Sequence, residues 1–323
     1  MEDESTTIFE GLRKRLQGIA YRMLGSVAEA EDVVQDVWLR WHDAHRSGIA
    51  NAEAWLVTTT TRASIDHLRS AKVRRESYVG FWLPEPLLAD SPPSPEQELE
   101  RANDLSVAFL TVLERLSPDA RAAFLMREVF DAEYIDIASI LGTSEASSRQ
   151  LVSRSRVRLR EEGAPRYKVS ADAQFKVLRR FSDAMSSGDF AALKFLLAED
   201  AELVSDGGGK VTSFPKPLSG SQRIAQLYFS AHRRYQEALR IELAVINGQW
   251  GTLRFIDGQL ESVHAYETDG ERIVHIHVQR NPDKLARIAV DFLQISRGAL
   301  SQDWPLERLV GVTQPLLPKE SLP

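Results

Sequence analysis

The chain has 323 residues, 43% hydrophobic and 27% charged, a balance that marks a globular protein of two or three domains and excludes a disordered one. No apolar run approaches the ~20 residues that a bilayer span needs; the acidic, polar start MEDESTTIFE is unlike a secretory signal; and the lack of cysteine excludes disulfides and thiolate-bound zinc and fits a reducing cytoplasm. A net charge of −6 argues against nucleic-acid binding by bulk charge, so any such contact must be local or helped by a larger partner.

Residues 1–75 read as all-helical. Phe9, Leu12, Leu16, Ile19, Ala20 and Met23 form one apolar stripe. Gly25 breaks it, and Ser26 with Glu29 makes a capping box for a second helix that runs to about Trp41. On that helix Glu29, Asp32 and Asp36 lie three and four residues apart and share a face with Gln35. Taken alone, such a stripe is an ordinary solvated face. A third helix starts near Ala52 and passes Trp55, Leu56, Ile65 and Leu68. A buried face there overrides the low helix propensity of Thr58 to Thr61, and Trp55 falls in that core. The helix ends in a basic stretch with Arg69, Lys72, Arg74 and Arg75.

Residues 76–97 form a joint. WLPEP (Trp82, Leu83, Pro84, Glu85, Pro86) and SPPSP (Ser91 to Pro95) cannot be helical inside and are expected to be extended and semi-rigid. Residues 98–163 return to helices. Ile137, Ala138 and Leu141 give a short amphipathic helix, Gly142 can end it in the left-handed conformation, and Ser144 can cap the next one. That next helix repeats Ser148, Val152, Ser155 and Leu159 at helical spacing, with Arg149, Arg154, Arg156, Arg158 and Arg160 on its other faces. Two helices about a tight glycine turn, the second basic, make a helix-turn-helix.

Residues 164–285 change character. Helices over Ala173 to Ser186 and Phe190 to Ala198 lead through glycine-rich turns to strands over Ile241 to Ile246, Gly251 to Ile256, Leu260 to Thr268 and Glu271 to Arg280. This order predicts an α+β domain with an antiparallel sheet. Asp269-Gly270 reads as a two-residue hairpin turn. That turn sets His264 opposite His275, with His277 and Tyr266 on the same face, and leaves Val263, Ala265, Val274, Ile276 and Val278 as core. Three histidines on one face suit a metal by geometry, but they lack a carboxylate or cysteine partner and more often line a pocket or face solvent. No metal and no cofactor is expected. DGGGK (Asp206, Gly207, Gly208, Gly209, Lys210) is not a phosphate-binding loop, since Val211 follows Lys210. It reads as an exposed tight turn that offers one acid and one base to a protein contact. Residues 286–323 add a helix, Leu285 to Ile295, and a proline-punctuated tail.

AEAEDVVQDVWLRW (Ala28 to Trp41) and AWLVTTTTRASIDHLRSAKVRRE (Ala54 to Glu76) resemble region 2 of extracytoplasmic-function sigma factors, and RAAFLMREVF with the helix-turn-helix resembles their region 4. WLPEP, DGGGK and NPDKL (Asn281, Pro282, Asp283, Lys284, Leu285) look like signatures of one subgroup. In that subgroup a SnoaL-like domain of the cone-shaped NTF2 fold is fused to the C-terminus and controls the sigma core in cis. The resemblance implies a multidomain chain: two all-α sigma domains, then an α+β NTF2-like cone.

It also implies the partners: RNA polymerase core, through its β′ and β subunits, and promoter DNA, in the cytoplasm and with no membrane. Glu29, Asp32, Gln35 and Asp36 would dock on the β′ clamp helices. Arg62, Asp66, Arg69, Lys72, Arg74 and Arg75 would hold the −10 element as its strands part; many members carry asparagine where this chain has Arg62. Ser144, Glu145, Ser147, Arg149, Gln150 and Ser153 would meet base edges of the −35 element, and Arg154 and Arg156 its phosphates. WLPEP, DGGGK and NPDKL would be the interdomain contacts. The leading reading is a non-enzymatic sigma factor. The alternative is a SnoaL-like domain with isomerase- or cyclase-like chemistry, or one that senses an unknown small ligand, with a DNA-binding regulatory half before it.

Overall fold

The computed structural model describes residues 4–44, 48–76, 78–89, 106–161 and 169–301. The stretch SPPSP, the residues beyond 301 and the side chains of Lys72, Arg74 and Arg75 lie outside the described residues.

The apolar stripe from Phe9 to Met23 lies on α1 (Glu4–Leu24), which stops where Gly25 adopts φ +67°. Ser26 then opens α2 (Val27–Asp43), its Oγ accepting the Glu29 amide at 3.4 Å. Only half of the expected capping box is present. The Glu29 carboxylate turns away from the Ser26 amide and lies 3.3 Å from His67, and the free Val27 amide is bonded by Glu85, from the distant linker, at 2.7 Å. In α3 (Ala52–Glu76) the threonine run is accommodated by hydroxyls that bond back one turn, Thr59 to Trp55 and Thr61 to Val57, both at 2.8 Å. Trp55 meets Trp41 at 5.5 Å with the rings tilted by 47°.

Next come α4 (Val107–Leu113), α5 (Pro118–Glu128), α6 (Tyr134–Leu141) and α7 (Glu145–Glu161). Gly142 ends α6 at φ 65°, Ser144 Oγ accepts the Ser147 amide at 3.2 Å, and Ser148, Val152, Ser155 and Leu159 are the buried face of α7. One hydrophobic cluster runs from Leu16, Leu24 and Leu56 to Leu113, Leu125 and Val152. The first two helical parts therefore share a single core rather than standing apart.

The C-terminal part contains α8 (Ala171–Ser187), α9 (Phe190–Leu196), α10 (Ser221–Tyr235) and α11 (Pro282–Ser301). Its strands are β2 (Leu197–Asp206), β3 (Leu218–Ser219), β4 (Leu239–Ile246), β5 (Gln249–Ile256), β6 (Gln259–Thr268) and β7 (Ile273–Gln279). The linker adds β1 (Leu88–Ala89), giving the order β1-β4-β5-β6-β7-β2-β3. The sheet is not purely antiparallel: β2 runs parallel to β7. Sequence reading missed both β2 and α10.

The β6–β7 register also departs from the expected one. Four residues, Asp269 to Arg272, separate the strands, and the Asp269 carboxylate accepts the amides of Glu271 and Arg272 at 2.9 and 2.7 Å. With an irregularity at Glu267/Thr268, His264 faces Val278 while Ala265 faces His277 and Glu267 faces His275. Side chains alternate across a sheet, so His264 lies on the face opposite His275 and His277. The three histidines form no cluster, and among the described residues no group of three His, Cys, Asp or Glu can hold a metal.

The inner face of the sheet packs on α8 to α10. There Phe181 meets Tyr228 and Tyr266 edge-on at 5.4 and 5.9 Å. The outer face buries Leu253, Phe255 and Val263 under Val107 of α4 and Leu285 and Ile288 of α11. That last helix begins at Pro282, three residues before the expected start, because Asn281 Oδ1 accepts the Asp283 amide at 3.1 Å and proline suits the first helical position. Phe181→Ala is expected to cost about 3–5 kcal/mol, since the ring is fully buried; chemical denaturation followed by near-UV circular dichroism would measure it.

Candidate functional site

Segment 78–89 lies between the α1–α2 corner and the sheet, and two buried carboxylates hold it there. The first is Asp206, at the end of β2 and 0% exposed. It accepts hydrogen bonds from Tyr78 Oη (2.6 Å), the Leu83 amide (2.9 Å), the Gly208 amide (2.9 Å), Lys284 Nζ (2.8 Å) and Gln279 Nε2 (3.2 Å). A buried carboxylate is tolerable only with such a full set of donors and a countercharge. Lys284 supplies the charge. Its ammonium also donates to the Leu83 carbonyl at 2.6 Å and lies 4.2 Å from the centre of the Trp82 ring. Burial, and then the Asp206 carboxylate, push the Tyr78 phenol well above its usual range, so it stays a donor.

The second is Glu85. Its Oε2 accepts from the Val27 amide and, at 3.2 Å, from Ser26 Oγ, so the linker caps α2. The Glu85 backbone joins Gly25 and Tyr21: its amide donates to the Gly25 carbonyl, and its carbonyl accepts the Tyr21 hydroxyl, both at 2.8 Å. Asn247, in the β4–β5 turn, donates to Tyr21 Oη at 2.7 Å and exchanges bonds with Leu87. Trp82 covers Gly25 so closely that a Cβ there would lie 2.5 Å from the ring.

Of the expected interdomain residues, Trp82, Leu83, Glu85, Asp206, Asn281 and Lys284 meet here, with Pro84 and Pro86 buried beside them. Gly208, at φ +64°, lies against Asn281, and Gly209, at φ +70°, against Val79; a side chain at Gly207 would strike the Val211 carbonyl. DGGGK is not the exposed turn expected. Its acid is wholly buried, and only Gly209 and Lys210 are exposed, Lys210 pairing with Asp283 at 2.6 Å. Pro282 opens α11, and Leu285 belongs to the outer-face core. Tyr21, Tyr78, Asn247 and Gln279 were missed. Asn247-Gly248 is a turn signal, yet nothing in it announces the bonds of the side chain.

The helical surfaces are partly occupied. On α2, Asp32, Gln35 and Asp36 are exposed, and the neighbouring Glu31 pairs with Arg287 of α11 at 2.7 Å. On α3, Arg62 donates to the carbonyls of Ile140 and Ser139, at the end of α6, at 2.9 and 2.7 Å. Arg69 pairs with Asp66 at 3.5 Å and with Asp119 of α5 at 2.8 Å. Arg121, 3% exposed, donates to the Met23 carbonyl at 2.6 Å and pairs with Glu114 at 2.7 Å. On α7, Ser144, Glu145, Ser147, Arg149, Gln150, Ser153, Arg154 and Arg156 are all exposed. Arg149 pairs with Glu145 and stacks on Tyr134 at 4.4 Å, and Arg156 pairs with Glu128 at 2.5 Å.

The inner face of the sheet also bounds a cavity of about 130 Å³. His264 lines it with both ring nitrogens engaged, Nδ1 to Tyr228 Oη at 3.0 Å and Nε2 to Ser262 Oγ at 2.8 Å. Ser262 donates to Glu261 at 2.7 Å, so Nε2 carries the proton and Nδ1 accepts. Burial and then Arg254 hold the imidazole down at about 3. It is neutral at physiological pH, with no free lone pair for a proton or a metal.

The chain matches the Sigma-70 region 2 family over residues 8–74 and the Sigma-70, region 4 family over residues 106–159. It is 37% identical over 292 residues to the ECF RNA polymerase sigma factor SigJ of Mycobacterium tuberculosis, covering 85% of this chain and 91% of that one. It is 28% identical over 288 residues to a probable ECF RNA polymerase sigma factor, SigI, of the same organism, covering 88% of this chain and 95% of that one. The crystal structure of the M. tuberculosis extracytoplasmic function sigma factor SigJ aligns with 87% of this chain and 98% of its own at a TM-score of 0.70 and 33% identity.

Asp206→Ala is expected to lower stability by about 3–5 kcal/mol, because it strands the buried Lys284 charge. Lys210→Ala removes only an exposed pair and should cost at most about 1 kcal/mol. Urea denaturation of both variants checks the contrast.

Proposed function

The chain belongs to the extracytoplasmic-function RNA polymerase sigma factors, and we propose that its α+β module holds the two sigma regions in a closed arrangement that opens at the promoter. As a sigma factor it directs RNA polymerase to promoters. The observation that carries the proposal is the seat of Arg62 on the last carbonyls of α6. An arginine assigned to the −10 element is here spent on the helix-turn-helix assigned to the −35 element. Those elements lie about 25 base pairs apart, roughly 85 Å at ~3.4 Å per step. A contact of under 3 Å between their readers cannot survive when both are bound.

The parts then take these roles. The exposed Asp32, Gln35 and Asp36, with Glu29, face a basic surface of the β′ subunit, where complementary charge steers and orients docking. The first turns of α7 read the −35 element, and Arg149 and Arg156 exchange their exposed intramolecular pairs for bases and phosphates. Such pairs are weak, about 0–1 kcal/mol each, so the exchange costs little. Arg62 and Arg69 become available to the −10 strand only when α5 and α6 move away. We place this work in the cytoplasm, where core polymerase is; none of the described helices is long and apolar enough to cross a membrane. The isomerase- or cyclase-like alternative finds no support in His264, whose two nitrogens are already committed.

Two measurements test this reading. The chain has no cysteine, so Lys14→Cys on α1 and Val157→Cys on α7 accept a fluorophore pair. Transfer efficiency is expected to fall when core polymerase and promoter DNA are added together; an unchanged efficiency in an active complex rules the closed-to-open step out. Separately, Arg149→Ala is expected to weaken the −35 footprint by about 1–3 kcal/mol, roughly five- to 150-fold, without loss of core binding.

A further inference from the structure

We infer that the inner-face cavity of the α+β module is a binding site for a small monocarboxylic acid with a short apolar tail. The inference does not depend on how the sigma regions move. The cavity, about 130 Å³, is slightly smaller than the ~150 Å³ that accommodates a benzene ring. Leu203, Phe214, Leu227 and Val278 supply apolar walls. The polar end carries Arg254 and Arg280.

Charge decides the ligand's sign. Both guanidiniums bond one carboxylate, Glu261, through their Nε atoms at 2.8 Å. Burial alone would raise Glu261, but Arg254 and Arg280 together hold it down at about 2. Two cations against one anion leave one positive charge in excess, and no carboxylate is among the residues lining the cavity. The remaining titratable groups there, His264 and Tyr228, are neutral: burial lowers the first and raises the second. Nothing at the site can balance an ammonium, whereas one carboxylate completes the charge. Arg254 directs Nε and one terminal nitrogen to Glu261; its other terminal nitrogen makes no hydrogen bond among the described residues and remains a donor for the ligand.

Arg280 links this site to the interdomain joint. Its guanidinium donates to the Thr212 carbonyl, and its amide donates to the Asp206 carbonyl at 2.8 Å. A ligand carboxylate that engages Arg280 competes with Thr212 for the same donors. Occupancy therefore reaches the loop that follows Asp206 without touching a sigma region.

The test is calorimetry and ligand-observed NMR on the full chain with sodium propionate and sodium butyrate, against propionamide, butyramide and butylamine. The acids are expected to bind at one site per chain, the amides at least about tenfold more weakly, and the amine not at all. Arg254→Gln keeps Glu261 paired with Arg280 and should weaken the acids by about tenfold or more. The inference fails if amide and acid bind equally, if neither acid binds, or if folded Arg254→Gln binds the acids as the parent does. Should Arg254→Gln not fold, the acid-against-amide comparison on the parent chain decides by itself.

Discussion

A single buried carboxylate organises the chain. Asp206 accepts donors from the linker, from its own loop, and from the end of β7 running into α11, so three stretches of chain far apart in sequence converge on one side chain. The desolvation cost of the charge is large unless every lone pair is satisfied. Here the cost is met by a salt bridge, a backbone amide from each of two segments, a phenol and a carboxamide. The consequence is specificity of position. A linker that slid by one residue would offer the carbonyl of a neighbouring residue, or a proline with no N–H, where the Leu83 amide now donates. The prolines at 84 and 86 keep the strap extended, so little chain entropy opposes its seating.

The interface between the sigma regions is built differently. Its apolar part is continuous with both cores, through Leu24, Leu56, Leu113 and Leu125. Its polar part combines bonds near water, Arg62 on two helix-end carbonyls and Arg69 on Asp119, with one buried bond from Arg121 to the Met23 carbonyl. Exposed bonds of this kind add little to stability but fix orientation. In the proposed opening Arg62 and Arg69 would exchange these exposed bonds for phosphate or carboxylate partners at little cost, while the buried Arg121–Met23 bond would have to break. The resistance lies in the apolar contact, in the buried Arg121 bond and in the strap. A ligand or partner controls the equilibrium only through its different affinity for the two arrangements.

The sequence disclosed the parts whose structure is local. The helix-turn-helix was legible down to the φ of Gly142, the cap at Ser144 and the buried face of α7, because capping and 3.6-residue periodicity act over a few residues. The joint was legible only as composition. WLPEP, DGGGK and NPDKL were named through a resemblance, but the burial of Asp206 was misjudged, since an acid among three glycines reads as a surface turn. The β6–β7 register failed because Asp269 makes its own side-chain turn and lengthens the loop to four residues; a change of one in parity puts a histidine on the other face. Strand β2 was missed because its partner β7 is parallel and some 70 residues away, and its acidic stretch at Glu199, Asp200 and Glu202 hides the apolar alternation.

The linker's second carboxylate, Glu85, reaches α2, the helix proposed to face polymerase. Glu85 satisfies the first free amide of α2 and places a negative charge at the positive end of its dipole. Caps of this kind are worth about 1 kcal/mol, a small fraction of the fold but a large one for a single helical turn. That turn carries Glu29, the first acid of the stripe assigned to the β′ subunit. Arg287 of α11 pairs with Glu31 on the same turn. In the closed arrangement, therefore, the α+β module and its strap both set the conformation and the charge of the surface proposed to meet polymerase. A strap that leaves its seat withdraws one cap from α2, and an α11 that leaves with it returns one carboxylate. On this proposal the surface for the core enzyme and the joint for the α+β module are two ends of one short helix start. Docking at one end and release at the other would thus be linked through bonds no longer than 3.2 Å.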